Sequence, residues 1–175
     1  LVNCVPDYVQ VESYVRASNV QAIVDGNQRV NRALKAGGDA VGATCVIHDL
    51  PGYLPMRDNL DMNSLLRSNS EPLFGTDNVR QRVHMTASTD MGDVSHLMPV
   101  IHPWVGCIEG VLHSAEYNIT VPDVAYIKTA QALAMTIVDL LYDEAQVAEE
   151  ILENFEAPLT KETYIELLDS IASGK

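Results

Sequence analysis

His113, in Leu112-His113-Ser114, is the side chain best suited to hold a metal ion. Neutral imidazole is the commonest nitrogen ligand for zinc-like ions, and a loop that follows a strand can present it. On spacing alone, a single histidine beside a serine also reads as a hydrogen-bonded loop residue. His96, His102 and His113 lie six and eleven residues apart, which matches no compact metal motif. Asp90 and Asp93, within Ser88-Thr89-Asp90-Met91-Gly92-Asp93-Val94-Ser95, suit the orientation of a ligand. Equally, Asp90 suits capping of the turn around Gly92, a task that needs no function. Cys107 and His113 together suggest a nucleophile and its base, set against the commoner role of cysteine as an inert core residue. Arg16, thirteen residues after Asn3, offers a planar guanidinium that matches both oxygens of a carboxylate. A surface pairing of Arg16 with Glu12 is the plainer alternative.

These groups need elements to position them. Residues 8–16 alternate, with Val9, Val11, Ser13 and Val15 on one side and Gln10, Glu12 and Arg16 on the other, which predicts a half-buried strand. Ser18-Asn19-Val20-Gln21 is a capping-box pattern that opens a helix through Val20, Ile23, Val24, Val30 and Leu34, and Gly37-Gly38 supplies a stop. Residues 44–50 predict a second strand, closed by Pro51-Gly52. A short helix through Leu60, Met62, Leu65 and Leu66 ends near Asn69, and residues 71–83 read as loop. Residues 84–115 hold the polar, Gly- and Pro-punctuated segment, with Val100-Ile101 and Ile108 as small strand pieces. From Pro122 a long helix sets Val124, Ile127, Ala130, Leu133, Ala134, Ile137 and Leu141 on one core-facing stripe. It breaks near Asp143 and continues to Phe155; a final helix starts after Thr160, with Tyr164, Leu167, Leu168 and Ile171 apolar.

Composition narrows the function classes. The 175 residues carry a formal charge of -13, which disfavours nucleic acid and anionic membranes as partners. With 47% apolar residues the chain can build a substantial core. Three widely spaced cysteines, Cys4, Cys45 and Cys107, fit free thiols in a reducing cytosol, so a cytoplasmic location is expected. By count, no apolar run reaches the ~18–20 residues that span a bilayer. No basic stretch precedes an apolar one at the start, so no signal peptide is expected.

Three motifs, in this order, resemble the metal-dependent aminoacylase/carboxypeptidase family. They are Asn3-Cys4-Val5-Pro6-Asp7 with Arg16, the string STDMGDVSHLMPVIHP over residues 88–103, and Leu112-His113-Ser114-Ala115-Glu116-Tyr117 followed by the long helix. The resemblance implies an α/β chain. Residues 1–52 would be the second half of an α/β-sandwich lid that mediates dimerisation, and 53–175 the largely helical C-terminal part of an α/β catalytic domain. It implies an enzyme that cleaves the amide bond of a dipeptide or N-acyl amino acid with two divalent ions, zinc or manganese. His113 would be a metal ligand, Asn3 and Arg16 would bind the substrate carboxylate, and Asp90 would line the site. The family's His-x-Asp motif, bridging acid and Glu-Glu pair with the general base have no match here. The chain, which opens at Leu1, is therefore expected to be the last part of an enzyme, to bind no metal and to be inactive alone. A non-catalytic acidic helical interaction module and a regulatory subunit are the other readings.

Overall fold

The computed structural model describes residues 3–81 and 87–173. Helix α1, Val20–Ala40, starts where the Asn19 side chain accepts a hydrogen bond from the Ala22 amide, satisfying one donor of the open first turn. It runs past Gly37-Gly38 and ends ahead of Gly42, whose φ of 70° turns the chain back. Gly38 is needed for a different reason: a Cβ there would lie 2.9 Å from Cys45 Cβ. The returning segment is also tied to α1 by a hydrogen bond from Asn31 Nδ2 to Asp49 Oδ2 at 2.7 Å.

The strands expected over 8–16 and 44–50 do not form among the described residues. Period-two patterning states which face a strand would bury, but a ladder also needs a neighbour to accept its backbone hydrogen bonds. Without one, Val9 and Val11 are 67% and 71% exposed, and only Val15 of that face is half-buried. Among the described residues, the expected α/β sandwich is thus represented by one helix and two segments outside any β-ladder.

The rest is mainly helical. Helix α2, Leu60–Phe74, is capped by the Asn59 side chain and extends beyond the expected end at Asn69, carrying Pro72 in its last turn. The loop expected over 71–83 is therefore partly helical, and its last two positions, like the first three of segment 84–115, lie outside the described residues. A short helix α3 covers Met91–Val94. Strands β1, Ile108–Glu109, and β2, Asn118–Ile119, pair antiparallel, whereas Val100-Ile101 forms no strand.

A π-helical opening, Asp123–Lys128, leads into α4, Thr129–Glu153, with Thr129 Oγ1 donating to the Val124 carbonyl at 2.7 Å. The expected break is present. Tyr142 is extended, and Asp143, Glu144 and Ala145 take left-handed φ values of 51°, 59° and 64°. Helix α5, Lys161–Ala172, begins with a reciprocal cap between Thr160 and Thr163.

Helices α2 and α4 pack together. Their contact is built from small and polar residues rather than from the apolar stripe read from the sequence. Ala132 and Thr136 are 3% and 2% exposed, while Ile127, Ile137 and Leu141 of that stripe are 55%, 55% and 65% exposed. Asn69 on α2 donates to Thr136 Oγ1 at 3.3 Å and to Asp139 Oδ2 at 2.7 Å, so this seam rests on hydrogen bonds inside a narrow contact. The run Asp123–Glu153 also contains an 18-residue window, of mean hydropathy 1.4, that is long and apolar enough by length and composition to cross a membrane. Counting uninterrupted apolar residues missed this, because the average tolerates interspersed Thr and Gln.

Candidate functional site

His113 sits on the loop that joins β1 to β2, as expected for a residue presented after a strand. Gly110 starts that loop at φ 90°, where an added Cβ would overlap the Glu116 carbonyl. The loop closes on itself: Ser114 N donates to Val111 O at 2.9 Å, and Glu116 N donates to Ser114 Oγ at 3.3 Å. His113 adopts φ 67°, unusual for a residue with a Cβ, and its side chain is exposed. The ring is therefore held at the surface, outside the apolar interior.

The other candidates occupy separate places. Asn3 is exposed, with its Oδ1 4.0 Å from Cys4 Sγ. Arg16 is exposed with its guanidinium 5.3 Å above the Tyr14 ring. Asp90 is exposed at the start of α3, and its carboxylate accepts from Thr89 Oγ1 at 3.0 Å rather than capping the helix. Among the described residues no hydrogen bond joins Asn3, Asp90 and His113, and no group of three or more His, Cys, Asp or Glu could hold a metal. Cys107 is 6% exposed, with its Sγ near the Val105 carbonyl at 3.7 Å, the setting of a core thiol.

Around α3 the structure gives a role that spacing did not. Asp93 accepts from the Leu54 amide at 3.3 Å, and its carboxylate lies near the Tyr164 phenol, joining three distant stretches of chain. Burial first, then the Asp93 charge and the hydrogen bond to it, raises the Tyr164 phenol above its usual 10.0. Ser95, 1% exposed, accepts from the Arg57 amide at 3.0 Å and donates to the Gly92 carbonyl. His96, 5% exposed, bonds the same carbonyl through Nδ1 at 2.9 Å, and its own carbonyl accepts from the Leu159 amide. Gly92 is required because a Cβ would overlap the Leu54 carbonyl oxygen. Ser88–Ser95 is thus largely a clamp that fixes residues 54–57 against the start of α5. Sequence reasoning missed Leu54, Arg57 and Tyr164 as its partners, since no local spacing links positions so far apart.

With that geometry in view, the likeness to other proteins is to peptide-bond hydrolases of the dipeptidase type. The chain is homologous to Xaa-Arg dipeptidase of Homo sapiens, being 26% identical over 179 residues that cover 95% of this chain and 40% of that protein. It is 27% identical to Xaa-Arg dipeptidase of Mus musculus over 173 residues, 91% of this chain and 39% of the relative. The resemblance read from the three motifs is borne out at this level. The chain spans about two fifths of the length of these curated relatives. No family model and no solved structure matches it.

Proposed function

We propose that this chain is the carboxyl-side portion of a metal-dependent hydrolase that cleaves the amide bond of a dipeptide or N-acyl amino acid. The observation that carries the reading is similarity to dipeptidases along 95% of the chain, with the three motifs in order. The described residues do not make a metal site by themselves, because His113 stands without two further donors. A zinc site takes three or four protein ligands, so His113 would be one donor to a centre completed by other residues. Bound divalent ions, zinc or manganese, would supply Lewis acidity and a water of lowered pKa.

This chain's own residues bind and orient. The exposed His113, fixed by the closed loop around it, offers its ring outward. Asn3 and Arg16 would grip the substrate carboxylate in the fork geometry that guanidinium allows, from a lid through which two copies pair. Asp90 would line the site. Taken alone, the 175-residue chain would bind no metal and turn over no substrate, and the complete enzyme would work in the cytoplasm without nucleic acid or membrane.

Hydrolysis of Xaa-Arg dipeptides by a longer protein bearing this chain tests the reading. Arg16→Ala is expected to raise KM at least tenfold with kcat little changed, the signature of lost uniform binding. No hydrolysis of any dipeptide or N-acyl amino acid would overturn the proposal. The exposure of Ile127, Ile137 and Leu141 favours a second reading, an interaction module that docks through α4. It requires that substitutions on this stripe abolish function while Arg16→Ala does not.

A further inference from the structure

A shallow, solvent-open cleft of about 640 Å³ lies between the start of α1, the Arg57 segment and α5. Small-molecule sites range over roughly 300–1,000 Å³. Its polar wall holds Arg57, His96 and Glu166, and its apolar wall includes Val20, Leu159 and Leu167. The hydroxyls that border it are engaged elsewhere: Thr163 Oγ1 donates to the Thr160 carbonyl and Ser170 Oγ to the Leu167 carbonyl. Recognition therefore falls to the charged groups and the imidazole.

Arg57 and Glu166 are both exposed. The Arg57 backbone is fixed by the hydrogen bond from its amide to Ser95 Oγ. Among the described residues, neither the Arg57 guanidinium nor the Glu166 carboxylate has an ion-pair partner. His96, which borders the cleft, is 5% exposed and must donate from Nδ1, because the Gly92 carbonyl can only accept; this leaves Nε2 as the ring's acceptor nitrogen. The first turn of α1 carries no acidic residue, so its amide end adds to the positive side.

From this arrangement we infer a binding site for a small aliphatic zwitterion, a free amino acid. Arg57 takes the carboxylate, Glu166 takes the ammonium, and Val20, Leu159 and Leu167 take the side chain. Asn3, Arg16 and His113 do not line it, and the inference does not depend on the hydrolase reading.

L-leucine titrated into the 175-residue chain, followed through the His96 ring and Leu167 methyl NMR signals, tests it. Leucine is expected to shift both sets of signals saturably. Leucinamide, which lacks the carboxylate, and N-acetyl-leucine, which lacks the ammonium, should each bind roughly tenfold more weakly, the loss of one charge-assisted hydrogen bond. Arg57→Ala should abolish the shifts while leaving the thermal midpoint in place, since the clamp uses the Arg57 backbone. Glu166→Gln should remove the preference for leucine over N-acetyl-leucine. The inference is overturned if leucine leaves these signals unmoved, if either derivative binds as well as leucine, or if either variant behaves as wild type.

Discussion

The segments flanking α1 and the clamp around α3 solve the same problem in opposite ways. Residues 8–16 and 44–50 carry the regular pattern that sequence reading favours, yet they join no β-ladder among the described residues and leave Val9, Val11 and Val46 largely exposed. Residues 88–96 show no period at all, yet bury Gly92, Ser95 and His96 and tie together residues 54–57, Leu159 and Tyr164. Periodicity reports a face that wants cover; it does not supply the cover. Convergent side-chain-to-backbone hydrogen bonds hold a local structure without any pattern being visible.

The comparison breaks most directly at Gly92. Gly92→Ala forces a Cβ into the Leu54 carbonyl and is expected to cost about 3 kcal/mol or more, read as a large fall in thermal midpoint. A near-neutral result would mean that the clamp does not hold residues 54–57. Next in size is the seam between α2 and α4. Asn69→Ala removes the bonds to Thr136 and to the Asp139 carboxylate and should cost about 2 kcal/mol in urea unfolding.

A smaller effect sharpens the clamp by pH. The folded-state pKa of Tyr164 is raised, so the stability its neutral phenol contributes is complete below the unfolded value of about 10 and fades as pH climbs through the folded value. Tyr164→Phe should remove that alkaline decline from urea midpoints measured between about pH 8 and 11. The smallest change belongs to the other region: Val9→Thr, at a site 67% exposed, should shift stability by no more than about 0.5 kcal/mol. A cost several times larger would show that residues 8–16 are packed after all.

Helix starts were legible because capping is local. The capping pattern over Ser18–Gln21 marked the start of α1, although the cap falls on Asn19 rather than Ser18, Thr160 announced α5, and the kink at Asp143–Ala145 fell where the acidic pair interrupts the apolar run. The packing face of α4 was not, because hydrophobic spacing points to Ile127, Ile137 and Leu141 whereas the contact with α2 uses Ala132 and Thr136. Close helix approach selects small side chains, which a count of apolar residues ranks low. Of the candidate site, the loop position of His113 could be read, since Gly110 and the Ile108 strand mark it. That Asp93 serves Leu54 and Tyr164 could not, because those contacts span the chain.

On the function proposed above, His113 is a ligand to a metal centre that this chain alone does not complete. Metal content by mass spectrometry, after exhaustive dialysis of a longer protein that contains this chain, tests it most directly. Bound zinc or manganese is expected in the wild type, with a marked loss in His113→Ala and none in the isolated 175 residues. Unchanged metal in His113→Ala, or stoichiometric metal in the isolated chain, would contradict it.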